Sequence, residues 1–224
     1  MGTRVLVIAP HMDDEVLGCG GTIARHVDRG DEVTVCFMAN RAYDHEYRDE
    51  WIAREEAAAE RAREVLGYQR AIYLRLPDEQ LDRSQIALIT PLESVIADVR
   101  PEVVYQNHRG DNHQDHRAVF DAIRVACRPH GSVPIRCLRV YETLSSTDQS
   151  PQLSEWLFQP TYWVDIADVL QRKLEALACY EVEGREFPHP RSIEGVRVQA
   201  KRRGMDCAVE AAEAFMTLRD GWWR

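Results

Sequence analysis

The chain has 224 residues, 45% of them hydrophobic, and its 28 Lys and Arg stand against 37 Asp and Glu for a formal net charge of −9. That length suits one large α/β domain over residues 1–224 and buries enough surface to fold without covalent staples. The acidic balance excludes wrapping a nucleic acid, which rests on neutralising phosphates with Lys and Arg, but leaves room for a small anion held by one or two arginines.

In chain order, the apolar run at residues 4–8 predicts a buried strand. Residues 15–29 predict a helix stopped by Gly30, and residues 32–39, rich in Val, Thr and Phe, a second strand. A long helix follows over 46–66 with Gly67 as its cap. A short strand is expected over 72–76, a helix over 83–99 that Pro101 prevents from continuing, and a buried strand over 103–106. Residues 113–127 read as helix, 139–142 and 161–166 as strands, and 168–180 and 193–217 as helices. Strands alternating with helices predict a mainly parallel, Rossmann-like sheet covered on both faces. Residues 145–152 are polar, hold Pro151 and read either as a loop near the site or as a surface turn. The apolar tail Trp222-Trp223 either covers a neighbouring subunit or closes the core.

Cys19, Cys36, Cys127, Cys137, Cys179 and Cys207 form no C-x-x-C and no finger-like spacing with histidine. Several lie in apolar runs and read as small buried hydrophobes. A strand beginning within four residues leaves no room for a signal peptide, and no apolar stretch approaches ~18 residues. The expected setting is a reducing cytoplasm, with no membrane partner.

Two clusters carry the chemistry. His11-Met12-Asp13-Asp14-Glu15 follows the first strand, and His113-Gln114-Asp115-His116 follows the strand at 103–106. Open α/β sheets bind ligands beyond the carboxyl ends of their strands. His11 and Asp14 are three apart, as are His113 and His116, so each pair can present two donors on one side of a helical first turn. Catalytic zinc takes three such ligands and keeps one position open. Water acidified by a metal needs a base beside it, and Asp13, adjoining a ligand without being needed as one, is the candidate. The histidine of the second cluster not used by the metal can stabilise an oxyanion if protonated. Asp115, between the two, can orient one of them or support its charge.

These two motifs resemble those of the PIG-L/LmbE-like family of zinc-dependent de-N-acetylases, A-H-P-D-D-E after the first strand and H-P-D-H near the middle. Met12 and Gln114 stand where that family usually has proline. Neither position supplies a ligand, so the departures bear on loop geometry. The resemblance implies that His11, Asp14 and His116 bind zinc, that Asp13 is the general base and that His113 stabilises the oxyanion and can serve as an acid, with Glu15 supporting the loop or helix start. It extends to Arg54-Glu55-Glu56, where an arginine near the helix start faces substrate, and to Phe187-Pro188-His189-Pro190-Arg191-Ser192, similar to a motif of the branch that includes bacillithiol-pathway deacetylases. Arg54, His189 and Arg191 are thus candidates for holding substrate. The alternatives are an exposed helical charge for Arg54, and for Arg191 a surface position at a helix entry capped by Ser192.

Gly18-Cys19-Gly20-Gly21 lacks the G-x-G-x-x-G spacing, since Ile23 stands where the third glycine should be. Close packing of the first helix on the sheet explains these glycines better. Asp44, His45, Glu46 and Glu50 read as a solvated helix start or, following the second strand, as pocket lining, and His26 and His130 as surface. His108 and Asp111 precede the second cluster, and Asp111 carries no firm assignment. The expected function is zinc-dependent removal of an N-acetyl group from a small N-acetylglucosamine-type sugar conjugate. Iron, cobalt or manganese is compatible with the same donors, and family habit suggests a homo-oligomer. Two rivals are an amidase acting on a thiol–sugar conjugate with a larger acyl group, and a non-catalytic sugar- or nucleotide-binding module with a metal.

Overall fold

Along the first strand, β1 (Arg4–Ala9), Val5 and Val7 enter one apolar cluster while Leu6 and Ile8 enter another. Both faces are therefore apolar, as a central parallel strand requires. In the computed structural model, which describes residues 2–42, 45–181 and 184–221, β1 is followed by α1 (Asp14–Asp28), β2 (Glu32–Asn40), α2 (Asp49–Leu66), β3 (Arg70–Pro77), α3 (Gln85–Val99), β4 (Val103–Asn107), α4 (Gln114–Ala126), β5 (Cys137–Tyr141), β6 (Tyr162–Asp165), α5 (Leu170–Ala178), α6 (Ile193–Cys207) and β7 (Ala212–Asp220). All seven strands join one sheet in the order β3-β2-β1-β4-β5-β7-β6. Residues of α1, α2, α5 and α6 pack into the cluster on one face, and those of α3 and α4 into the cluster on the other.

Strands β1 to β5 pair in parallel, with Val5 opposite Val103 and Val7 opposite Tyr105 where β1 meets β4. The strand order reverses at this pair, so a crevice opens beyond their carboxyl ends. The loops carrying the two motifs leave β1 and β4 at that crevice.

The helix expected over 193–217 is two elements. α6 stops at Ala208, whose φ of 61° is left-handed, and the chain turns back into β7. That strand runs antiparallel between β5 and β6, with Cys137 opposite Asp220 and Tyr162 opposite Phe215. Gly204 makes the turn possible: a Cβ there would stand 2.4 Å from the Val209 carbonyl oxygen. Ala, Glu and Met favour helix, but pairing on both sides overrides local propensity. The glycines of α1 do allow close packing, since a Cβ on Gly18 would lie 2.1 Å from the Tyr141 ring. Gly67 caps α2 with φ 84°. α2 begins at Asp49, three residues later than expected; Asp44 and the Trp222-Trp223 tail lie outside the described residues. Cys19, Cys36, Cys127 and Cys137 are buried thiols.

Candidate metal centre

At the β1–β4 crevice three donor atoms converge. His11 Nδ1 lies 3.1 Å from His116 Nε2 and 3.4 Å from Asp14 Oδ2, and His116 Nε2 lies 3.1 Å from that same oxygen. Ligand atoms about 2.0–2.1 Å from a tetrahedral zinc stand roughly 3.3–3.4 Å apart, so the triangle is of the size a small divalent cation spans. All three residues are at most 2% exposed.

The surroundings favour positive charge here. Burial opposes charge on His11, but hydrogen bonds to Asp115, Asp14 and Asp78 outweigh it and hold the imidazole well above its usual pKa. His116 is likewise raised, to about 9, by Asp14 and Asp111 against the cost of burial. Asp14 is pulled well below the usual carboxylate range by the two histidines despite its burial. A cation taking these histidine nitrogens would have to displace protons held there.

Two carboxylates orient the histidines from behind. Asp78 Oδ1 sits 2.8 Å from His11 Nε2, and Asp111 Oδ2 sits 2.9 Å from His116 Nδ1. With N–H on those nitrogens, His11 Nδ1 and His116 Nε2 are left as lone-pair donors, the arrangement that fixes a ligand's tautomer and ring plane. Asp78 is itself held by the Ala42 N–H, and Asp111 by the Thr147 hydroxyl. Sequence reasoning misses Asp78 and gives Asp111 no role. The signal that could have found Asp78 is position: it directly follows β3, on the same rim of the sheet as the motif loops.

Asp13 is 1% exposed and has φ 118°, a conformation L side chains rarely adopt, costing about 1–3 kcal/mol. Its carbonyl accepts from the N–H groups of Val16 and Leu17, and its own N–H donates to Glu15 Oε2. The side chain makes no helix cap; Arg191 Nη1 donates to its Oδ2 at 3.1 Å. Glu15 supports the loop, as expected, with Tyr180 donating to its other oxygen at 2.5 Å. Burial, with Asp13 adding repulsion, pushes the Glu15 carboxyl up to about 8.

The His113 ring stands 4.8 Å from that of His11 and 5.1 Å from that of His116, centroid to centroid. Burial and the two neighbouring histidines push its pKa down to about 4, so the ring is neutral at neutral pH. Its Nδ1 accepts the Asp115 N–H at 3.2 Å, which places the one proton of a neutral ring on Nε2. His113 therefore offers an N–H donor without a charge. Among the described residues the Asp115 carboxylate makes no hydrogen bond to either neighbouring histidine, although its charge favours a protonated His113. Its oxygens accept the N–H groups of Glu79 and Leu81, and one lies 3.4 Å from His11 Nε2.

Arg191 reaches the centre and is not at the surface. Its Nε donates to the Leu144 carbonyl and to Ser145 Oγ, which ties the 145–152 segment to the site. His189 Nδ1 accepts the Arg191 N–H, and Ser192 caps α6 through the Gly195 N–H. Arg54 is exposed on α2, whose first turns lie at the rim because β2 ends there. His26 is not a free surface residue: its Nδ1 lies 2.7 Å from Asp31 Oδ2 and its Nε2 3.1 Å from the Tyr105 hydroxyl. His130 is exposed.

A family model described as GlcNAc-PI de-N-acetylase, PIG-L, matches residues 6–127, from β1 through α4. The chain belongs to this family. It is 31% identical over 175 residues to the protein described as uncharacterized deacetylase YaiS of Escherichia coli K12, covering 75% of this chain and 90% of the relative. It is 27% identical over 192 residues to the diacetylchitobiose deacetylase of Thermococcus kodakarensis, covering 80% and 69%. Among solved structures, the conserved protein TT1542 of Thermus thermophilus aligns with a TM-score of 0.79 at 22% identity, covering 99% of this chain and 97% of that one. The 4-carboxy-2-hydroxymuconate hydratase GalB of Pseudomonas putida aligns at 0.76 and 19% identity, covering 100% and 99%. At such identities the likeness concerns the fold, and a hydratase on it shows that the reaction must be argued from the site.

Proposed function

We propose that this protein hydrolyses the N-acetyl group from a small N-acetylglucosamine-type sugar conjugate, with zinc held by His11, Asp14 and His116. The supporting observation is that these three donors converge while Asp13 and His113, beside them, are not needed as ligands. A structural zinc site is normally closed by four protein ligands, so two further reactive groups at a three-ligand site favour catalysis over a binding module. The names of the Thermococcus kodakarensis relative and of the family support an N-acetylated sugar as substrate.

Bound at this triad, the cation supplies Lewis acidity, polarising an amide carbonyl and acidifying water. Asp13 takes the proton from the attacking water. The Arg191 guanidinium, donating to Oδ2, aims the Asp13 carboxylate. His113 Nε2–H donates to the oxygen of the tetrahedral adduct as its charge develops. The proton collected by Asp13 is then available to the leaving amine, so that acetate and a free amino sugar depart. Arg54 and His189 are the candidates for contacting the sugar or its aglycone.

The test is acetate release from a panel of small N-acetylglucosaminides, with chelator and then with zinc restored. Release that stops with chelator and returns with zinc is the expected result. Release of only larger acyl groups would move the assignment to the thiol–sugar amidase, and zinc binding without turnover of any member would overturn the hydrolase reading.

A further inference from the structure

A second site lies at the opposite end of the sheet. A cavity of about 520 Å³ opens between the carboxyl-terminal half of α1 and the starts of β4 and β5, beside β6 and the end of β7. Its volume falls in the range of pockets that take small metabolites, roughly 300–1,000 Å³. Its position is remote from the metal centre, which uses the carboxyl ends of the same parallel strands.

Four guanidinium groups line it, those of Arg25, Arg29, Arg136 and Arg139, in a chain of net charge −9. Arg139 is held rigid: its guanidinium stacks 3.6 Å from the centroid of the Tyr162 ring, and Nη2 donates to Asp220 at 2.9 Å. Among the described residues neither Arg29 nor Arg136 forms a close ion pair with a carboxylate, although the charge of Arg29 reaches Asp31. Beneath the cavity surface, the Nε of Arg136 and of Arg139 and the Trp163 indole N–H have no hydrogen-bond acceptor. Such unneutralised N–H dipoles add to the positive potential of the wall.

The cavity also borders Asp31, Asp165 and Asp220. Asp31 and Asp220 are engaged with His26 and Arg139, while among the described residues Asp165 accepts only a backbone N–H, from Ala167, and keeps capacity for another donor. Guanidinium beside free carboxylate suits a ligand with two kinds of group. Planar guanidinium forks match phosphate oxygens, and a carboxylate oxygen accepts from a hydroxyl. A polynucleotide is disfavoured, because carboxylates interrupt the basic lining.

We propose that this cavity binds a small phosphate ester carrying hydroxyl groups, of the sugar phosphate class, with Arg29 and Arg136 engaging the phosphate and Asp165 a hydroxyl. The proposal stands apart from the metal centre and its reaction.

Isothermal titration of the whole protein with glucose 6-phosphate, orthophosphate and glucose tests it. The expected result is saturable one-to-one binding of the ester, tighter than that of either fragment. Replacing either cation, Arg136→Gln or the exposed Arg29→Gln, should weaken it about tenfold, and His116→Ala should leave it unchanged. Circular dichroism of each variant checks that the fold persists. Three outcomes would overturn the assignment: no saturation by about 10 mM ester, orthophosphate binding as tightly as the ester, or binding lost in His116→Ala but kept in both arginine variants.

Discussion

The parallel and antiparallel parts of the sheet divide the labour. Every donor of the candidate metal centre comes from the loop after β1 or from the first turns of α1 and α4, and the carboxylates that orient the two histidines come from the loops after β3 and β4. Strands β6 and β7 and helices α5 and α6 contribute no such donor among the described residues. They supply support instead. Glu213 of β7 accepts the N–H groups of Gly21 and Thr22 inside α1 and pairs with the buried Lys173 of α5 at 2.6 Å. Arg191, just before α6, clamps Asp13. Ligands can be set by short local motifs, whereas holding them in register needs contacts from far along the chain.

Substitutions on each side of this division should separate chemistry from support. The largest effect is expected from Asp13→Ala: turnover should fall by about 10²–10⁴-fold, the usual contribution of a general base, while metal content stays normal. Acetate release and metal analysis on the same sample check this, and near-normal turnover would remove the base assignment. Glu213→Ala strands Lys173 in the core, a change that costs about 3–5 kcal/mol. Denaturant unfolding should show that loss, with the metal still bound in the fraction that remains folded. A variant of wild-type stability would mean that this part of the molecule does not hold α1 as the contacts indicate. Asp111→Asn should lower metal affinity by about 10–100-fold, measured by competition with a chromophoric chelator, because the amide no longer fixes the His116 tautomer. Unchanged affinity would leave Asp111 a mere loop anchor.

The smallest effect concerns pH. Burial depresses the pKa of His26 below its usual value, against the pull of Asp31. A histidine with a depressed folded pKa lends stability that is present above its unfolded value of about 6.5 and is lost as pH falls through the lower folded value. The melting temperature should therefore drop as pH falls below about 6.5, and less so in His26→Gln. Equal slopes for the two proteins would show that the neutral ring between Asp31 and Tyr105 is not what responds.

How much is legible in the sequence follows the same division. The clustering of His11, Asp13, Asp14, His113 and His116 is readable because each group spans one strand end and the first turn of the next helix, a unit whose geometry is local. Asp78 is not readable, since it meets His11 only after β3 is laid beside β2, which is laid beside β1. The composition of β7 favours helix, and only its two neighbouring strands make it extended. His26 reads as surface because its partners, Asp31 and Tyr105, are brought to it by a turn and by a strand far along the chain. Arg191 stands out in the sequence, but its grip on Asp13 does not follow from the Pro-rich segment around it.

The spacing of these parts along the chain also orders events during synthesis. The three candidate metal donors are all made by residue 116, whereas Arg191 follows about 75 residues later, or about 4–15 s at typical elongation rates. With the proposed ion, a ribosome-bound chain would thus have the means to capture it, and with it to pin β1 beside β4, before Arg191 and the strand that braces α1 exist. Metal loading would then act as an early staple of the nascent fold, and assembly of the working site as its last step.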